Sequence, residues 1–253
     1  MLKEIREKNK NILLLDCGDS IAAGKDFPEL RAEISMQALG LMHYDGLNIA
    51  DGELGLGEKF FQKLQKKASF PLLSANLFKN KKPLGQTYLI KKFVGFNVGV
   101  IGLVSPTYFN HELLAKEGLE VRDPEKTLKK ILPLVKSQAS IIILLSHLGK
   151  NETTMLIQKV PGIDVAIVGH GPGILNQPET LSKTIVVQNC INGKFLGVLD
   201  LILEEGGTIK THIGYVVGIT KNTASDTEVN TLIREFEKKR NHQRPQTEEK
   251  LPE

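Results

Sequence analysis

Six acidic or histidine side chains directly follow apolar, strand-like runs of this chain. They are Asp16 and Asp19 in ILLLDCGD, Asp51 and Glu53 in GLNIADGE, His147 in IIILLSH and His170 in IDVAIVGH. Ligands bind at the carboxyl ends of the strands in open α/β sheets, so these side chains are expected to converge although they lie far apart in sequence. Carboxylates and imidazoles form a mixed oxygen and nitrogen donor set suited to Zn, Mn or Fe. The sequence therefore predicts a site for a divalent metal.

Each of these residues alone also has a structural explanation. An Asp after a strand commonly caps a helix or closes a turn, and a single His at a strand end often only makes hydrogen bonds. The repetition at four strand ends favours the metal site. Two other patterns are weaker, because the glycine-rich run GHGPG at 169–173 lacks a phosphate-loop or dinucleotide arrangement, and Ser20 and Ser146 lack a G-x-S-x-G elbow.

The elements that must position these residues alternate between short apolar runs and segments of helical spacing, a pattern typical of α/β proteins with buried strands. The predicted strands are 11–16, 46–50, 70–74, 86–93, 97–103, 140–145, 164–168, 183–188, 196–204 and 208–219, and the predicted helices are 28–42, 57–67, 124–137, 152–160 and 226–239. A hairpin should turn near Gly95. The last three strands follow one another without helices, which indicates a second sheet or an antiparallel side of a mixed sheet.

Composition narrows the class of protein. Of 253 residues, 33 are Lys or Arg and 29 are Asp or Glu, so the net charge of +4 gives no reason to expect a nucleic-acid partner. No apolar run approaches the roughly 18 residues that span a bilayer, and no secretory signal precedes Ile12, so a cytoplasmic location without a membrane partner is expected for the chain as written. We expect one α/β domain over 1–220, a helix over 221–240 and a disordered tail over 241–253.

The order of motifs carries a resemblance to a known family. GD, G-x-E-x-x-x-G, PLLSANL, VGVIGLVSP, SHLG, VGHGP and VVQNCINGKFLGVLDL follow one another between about residues 11 and 219. This order resembles the calcineurin-like metallophosphoesterases, specifically the catalytic domain of 5'-nucleotidases. The resemblance implies an α/β fold in which a two-sheet β-sandwich is flanked by helices in four layers. It also implies hydrolysis of phosphate esters with the help of two metal ions.

The resemblance assigns metal ligands one by one. It matches Asp19 to the aspartate that bridges both metals, His147 to the histidine of the family's SH motif, and His170 to the first histidine of its GHxH or GHxQ motif. The family's asparagine ligand falls on Asp51. Two further residues, Asn189 and Asn192, resemble the family's polar loop over the site, although an ordinary turn explains them equally well.

Several family residues are replaced in this chain. The catalytic histidine that assists the leaving group falls on Gly52, its acidic partner on Gly55, and the second ligand of the GHxH motif on Pro172. The family's opening D-x-H strand, which supplies two ligands of the first metal, is also missing from this sequence. One metal half-site is therefore expected to remain, with Asp19, Asp51, His147 and His170 around one Zn, Mn or Fe ion.

Two functions follow from this pattern. In the first, the domain is a catalytically impaired 5'-nucleotidase-like module that binds a nucleotide or phosphate ester, or serves as a structural module. In the second, it is an active hydrolase of nucleotide 5'-phosphates whose missing groups come from an upstream segment or another chain; a dropped upstream signal would then place it outside the cytoplasm. The edge beside strand 11–16 is expected to pair with another copy or a partner chain. Loss of the Asp19 or His170 side chain should abolish metal binding, whereas loss of Glu53 should not.

Overall fold

The computed structural model describes residues 1–21, 26–189 and 193–243 of the chain. The helices are α1 Leu2–Lys8, α2 Pro28–Leu41, α3 Asp51–Leu54, α4 Glu58–Lys67, α5 His111–Glu117, α6 Pro124–Lys136, α7 Gly149–Lys159 and α8 Thr227–Gln243. The strands are β1 Leu15–Asp16, β2 Gly46–Asn48, β3 Leu72–Leu73, β4 Leu77–Lys79, β5 Lys82–Pro83, β6 Leu89–Phe93, β7 Phe96–Val104, β8 Leu119–Val121, β9 Ile141–His147, β10 Val165–Val168, β11 Glu179–Leu181, β12 Thr184–Gln188, β13 Phe195–Leu203 and β14 Ile209–Gly218.

A six-stranded sheet forms the centre of the molecule. Its order is β11-β12-β10-β9-β7-β6, with β7, β9, β10 and β12 parallel and the two edge strands antiparallel to their neighbours. All seven residues of β9 are buried, and its first five, Ile141 to Leu145, form the continuous apolar run that is typical of a buried parallel strand. The predicted hairpin is confirmed, because β6 and β7 pair up to Phe93 and Phe96 around a turn at Gly95, whose φ is 87°.

A second layer of strands covers one face of this sheet. It contains the parallel sheet β1-β2-β3 and the antiparallel pair β13-β14. Leu13 and Leu15 near β1, and Leu199 and Leu201 of β13, pack into one core with the inner face of the six-stranded sheet. The two-sheet sandwich is therefore confirmed, with its second layer split into two separately bonded pieces. Within the described residues, β1 pairs with β2 alone.

Helices cover both outer faces. Ala32 and Met36 of α2 and Phe61 of α4 belong to a core that includes Leu47 of β2. On the other side, Leu128 of α6 and residues of α7 pack against the six-stranded sheet. The α/β class with outer helices is as expected. Helix α8 lies against α2, where Arg31 approaches the ring of Phe236.

Some predicted boundaries and pairings need correction. Strand β12 was grouped by sequence with the last two strands, yet it lies inside the central sheet and pairs parallel with β10. Strand β1 has two residues where six were expected, and α7 begins at Gly149, three residues before the predicted start at 152. Residues 244–253 of the expected tail lie outside the described part, and the proposed domain limits stay a prediction. Among the described helices, none combines the length and apolarity needed to cross a membrane.

Candidate metal centre

Four side chains from the ends of separate strands meet at one edge of the sandwich. Asp19 lies in the turn after β1, Asp51 opens α3 after β2, His147 is the last residue of β9, and His170 follows β10. One nitrogen or oxygen atom from each of them lies within 4.8 Å of those from the other three. The carboxyl ends of the parallel strands therefore bring together the four residues that the sequence singled out.

His147 lies at the centre of this cluster and is 1% exposed. Its Nδ1 lies 3.0 Å from the Cys17 carbonyl oxygen, which can only accept, so Nδ1 carries a proton. Its Nε2 lies 3.4 Å from Asp19 Oδ2 and 3.5 Å from Asp51 Oδ1. Burial lowers the pKa of His147, but the two carboxylates outweigh burial and raise it to about 9. In the metal-free protein, the protonated imidazole therefore balances the charge of both carboxylates. With a metal bound, the neutral ring would instead present Nε2 to the ion.

His170 completes the nitrogen donors. Its Nδ1 lies 3.2 Å from His147 Nε2, so both ring nitrogens point at the same small volume. The ring of Tyr108 stacks on His170 with centroids 3.5 Å apart, and the Tyr108 hydroxyl donates to the Leu148 carbonyl at 2.8 Å. Gly169 permits this turn, because a Cβ there would lie 2.6 Å from the Cys17 Cβ. The His170 imidazole is therefore held by a neighbouring ring as well as by its own backbone.

The two carboxylates differ in how their oxygens are used. Asp19 Oδ1 accepts the Gly52 N–H at 2.8 Å, which leaves Oδ2 facing His147. Asp51 Oδ1 is buried and accepts no hydrogen bond; it lies 3.5 Å from His147 Nε2, although the Asp51 side chain as a whole is 31% exposed. A buried acceptor without a donor is costly unless a cation or a proton satisfies it. The donor set and this unsatisfied oxygen fit a divalent metal.

Two other carboxylates predicted from the same strand ends turn away from the cluster. Asp16 Oδ1 accepts the Gly18 N–H at 2.8 Å, and burial raises its pKa. Glu53 is 2% exposed and accepts only backbone N–H groups. Burial raises the pKa of Glu53 to about 7. Both residues therefore shape the turns that carry the ligands.

Comparisons with known proteins agree with this arrangement. No family model matches the chain. It is 27% identical to a human 5'-nucleotidase over 261 residues, covering 93% of this chain and 45% of that protein. It is 25% identical to the uncharacterized metallophosphoesterase YunD of Bacillus subtilis, covering 93% of this chain and 52% of that protein. The chain thus spans about half the length of the curated relatives it matches.

Solved structures share the fold. The chain superimposes with a TM-score of 0.87 on the sulfate thiohydrolase SoxB of Thermus thermophilus, at 22% identity, over 95% of this chain and 46% of that one. Against the calcineurin-like phosphoesterase YfkN of Bacillus subtilis the TM-score is 0.80 at 25% identity, over 94% of this chain and 86% of that one. By sequence and fold, the chain is similar to the calcineurin-like metallophosphoesterases. The curated relatives it matches are named as 5'-nucleotidases and a metallophosphoesterase.

The structure shows what surrounds the three positions at which the resemblance expects other residues. Gly52 lies directly against Asp19, and a Cβ at Gly52 would lie 2.6 Å from Asp19 Oδ1 and 3.2 Å from Asp19 Cα. Gly55 caps the carboxyl end of α3, directly after Leu54. Pro172 follows the turn at His170 and carries no donor atom in its side chain. None of these three residues provides a ligand.

The loop residues expected over the substrate are only partly described. Asn189 donates from Nδ2 to the Phe195 carbonyl at 2.7 Å, so its amide ties the end of β12 to the start of β13. Asn192 lies outside the described residues. A substrate role for Asn189 and Asn192 stays a prediction.

The sequence analysis missed one residue of the candidate metal centre. Tyr108 stacks on His170 and meets His147 edge-on, with centroids 5.9 Å apart and planes at 87°. It lies in a short 3-10 turn, Pro106–Tyr108, just after β7. The sequence did contain a signal for it: Tyr108 is an aromatic residue shortly after the Ser105-Pro106 pair, and that pair directly follows β7, the neighbour of β9.

Proposed function

We propose that this domain binds one divalent metal ion through Asp19, Asp51, His147 and His170 and uses it to hold a phosphate ester such as a nucleotide 5'-phosphate, with little or no hydrolysis. The observation that carries the proposal is that these four side chains each bring one possible ligand atom within 4.8 Å of the other three. The buried Asp51 Oδ1, which accepts no hydrogen bond, adds to it. The 5'-nucleotidase relatives support the choice of phosphate ester.

The use of the two Asp19 oxygens supports one ion rather than two. Asp19 Oδ1 already accepts the Gly52 N–H, so Oδ2 is the oxygen available to a metal beside His147. Asp51 supplies a second negative charge near the same nitrogen. Two carboxylates and two imidazoles are enough to hold and neutralise one divalent ion. Pro172 contributes nothing to a second ion.

The residues around this cluster favour binding over hydrolysis. A bound divalent ion would supply positive charge against phosphoryl oxygens and would lower the pKa of a bound water. A group that donates a proton to the leaving oxygen is worth about 10²–10⁴-fold in rate. Gly52 and Gly55 provide no such group at the positions where the resemblance expects one. The ester is therefore held more readily than it is cleaved.

The second function, an active hydrolase, rests on the similarity to 5'-nucleotidases over more than nine-tenths of this chain. It requires that the missing leaving-group assistance come from outside the residues named here. The two functions differ in the number of bound ions and in turnover.

The test uses chain stripped of metal and then titrated calorimetrically with Mn²⁺ or Zn²⁺. We expect one ion per chain, metal-dependent binding of nucleoside 5'-monophosphates, and turnover below about 1 s⁻¹, the lower end of the usual range for enzymes. His170→Ala should remove metal binding, whereas His212→Ala, on the remote strand β14, should not. Two ions with turnover in the usual enzyme range would establish the hydrolase, and no binding at all would overturn both functions.

A further inference from the structure

Glu53 makes an unusual set of hydrogen bonds for a carboxylate beside a metal site. Both of its oxygens accept backbone N–H groups: Oε1 from Ser20 and Ile21 at 3.0 and 3.3 Å, and Oε2 from Asp19 and Ala50 at 3.0 and 2.9 Å. The side chain is 2% exposed, so water does not replace these donors. All four bonds are made to the main chain, which means that Glu53 holds backbone rather than side chains.

These bonds join the two segments that carry the acidic ligands. Three of the donors belong to the turn after β1, where Gly18 has a φ of 101° and Asp19 a φ of 62°. Successive N–H groups of such a turn point into one concavity that favours an anion, and the Glu53 carboxylate fills it. The fourth donor, Ala50, immediately precedes Asp51. Glu53 therefore sets the position of the Asp19 turn relative to the start of α3.

The left-handed conformation of Asp19 makes this support necessary. A non-glycine residue with positive φ is held there only when its surroundings compensate for the strain. The Glu53 carboxylate supplies that compensation through the Asp19 N–H itself, while the Gly52 N–H binds Asp19 Oδ1 from the other side. Without the carboxylate, Asp19 Oδ2 would lose its fixed place opposite His147.

We propose that Glu53 is a positioning residue of the metal centre: it touches no ligand atom, yet it orders the Asp19 turn so that Asp19 and Asp51 can bind one ion together. This inference rests on the proposed metal binding and reverses the sequence-based expectation that Glu53 is dispensable. Groups that orient metal ligands typically contribute 10–100-fold in metal affinity. A comparable loss is expected when Glu53 is replaced.

The experiment compares Glu53→Gln and Glu53→Asp with Glu58→Gln as a matched control. Glu58 is also a buried glutamate, 6% exposed, but it pairs with Lys79 away from the metal centre. Affinity for Co²⁺ and the visible Co²⁺ absorption spectrum are measured beside thermal unfolding. We expect Glu53→Gln to lose tenfold or more in Co²⁺ affinity with an altered spectrum, and Glu53→Asp to fall between. Glu58→Gln should lower the unfolding temperature yet keep affinity within about twofold.

A measurement on the unaltered chain keeps the test decisive if a variant does not fold. Amide hydrogen exchange in the metal-free protein should be slow at Asp19, Ser20 and Ile21, because Glu53 rather than the ion holds them. Fast exchange at these amides, or wild-type affinity and spectrum in Glu53→Gln, overturns the positioning role while leaving metal binding intact. A wild-type chain that binds no Co²⁺ overturns the proposed function and the positioning role together.

Discussion

The absence of a side chain at Gly52 decides how closely Asp19 can approach α3. The Gly52 N–H donates to Asp19 Oδ1 at 2.8 Å, and the space that a Cβ would need is taken by the same oxygen. Any larger residue at position 52 must displace the Asp19 carboxylate. The glycine at this position, where the resemblance expects a histidine, and the orientation of Asp19 are therefore linked.

Gly52→Ala is expected to weaken metal binding tenfold or more and to destabilise the fold, although an Ala in a helix is ordinarily favoured over Gly by up to about 1 kcal/mol. The expected change in stability has the opposite sign here because the new Cβ would lie 2.6 Å from Asp19 Oδ1. Calorimetric titration and urea unfolding provide the measurements. The control is Gly197→Ala, where the nearest atoms to a Cβ lie at 4.0 Å; equal affinities in both variants would refute the link.

Tyr108→Leu is expected to reduce metal affinity about three- to tenfold, because it removes the ring stacked on His170 at 3.5 Å. Aromatic pairs of this kind contribute about 0.5–1.5 kcal/mol. Tyr108→Phe keeps the stack and loses only the hydroxyl bond to Leu148, so its affinity should stay near wild type. Tyr215→Leu, on the exposed face of β14, is the matched control. Unchanged binding by Tyr108→Leu would assign the ring a packing role alone.

The sequence identified candidate ligands better than it distinguished their roles. Asp19, Asp51, His147 and His170 follow apolar runs, and parallel strands bring such positions to one edge, so their convergence was predictable. Asp16 and Glu53 occur in the same pattern but point at backbone N–H groups. That difference depends on the left-handed turn at Gly18 and Asp19, which no residue spacing encodes.

At the scale of elements, long buried strands and helices were predictable and short elements were not. The runs that became β7 and β9 are almost entirely buried, and their apolar character is continuous in the sequence. Helix α5 has seven residues and depends on the Asn110 side chain, which accepts the N–H groups of its first turn. The parallel pairing of β12 with β10 was not predictable, because parallel neighbours are usually connected by a helix. Here the connection runs through the short edge strand β11.

Asn76 shows how one polar side chain joins several of these elements. It follows β3 and is fully buried. Its Nδ2 donates to the carbonyls of Val104 and Arg122 at 2.7 and 2.9 Å, and its Oδ1 accepts the Val104 N–H at 3.1 Å. The end of β7 and the residue after β8 are therefore fixed by a single amide.

Asn76→Ala is expected to lower the free energy of unfolding by about 3 kcal/mol, because two buried backbone groups of Val104 and the part-buried Arg122 carbonyl lose their partner. Each unsatisfied group costs about 1–3 kcal/mol with partial relaxation. Asn97→Ala is the control, because Asn97 makes one exposed hydrogen bond, to the Gln138 carbonyl, and should cost less than about 1 kcal/mol. Urea unfolding measures both. A loss for Asn76→Ala no larger than the control's would mean that the neighbouring strands alone hold these elements.

At the scale of the whole molecule, the layers bury two ionisable side chains, His147 and Glu53, whose pKa values differ between the folded and unfolded chain. The free energy of unfolding must therefore depend on pH. His147 is enclosed by the sandwich, and the neighbouring Asp19 and Asp51 raise its pKa to about 9 against a usual 6.5. Burial raises the pKa of Glu53 to about 7 against a usual 4.5. In the metal-free protein, protonation of His147 is favoured by folding, and ionisation of Glu53 is disfavoured by it. Both effects therefore act in the same direction as pH rises.

Metal-free protein is accordingly expected to lose stability between pH 5 and pH 9. The contribution of His147 is fully present below pH 6.5 and is lost as pH rises through about 9, while the cost of charging Glu53 develops between about pH 4.5 and 7. Together they should lower the free energy of unfolding by about 4 kcal/mol from pH 6 to pH 9. Urea unfolding with a chelator present measures this slope, and His147→Asn should flatten it above pH 7, whereas His212→Asn should not.

With excess Zn²⁺ the trend above pH 7 should reverse, because the ion competes with the His147 proton and binds more tightly as pH rises. A metal-free stability that rises toward pH 9 would show that His147 is not held as an imidazolium between the two carboxylates.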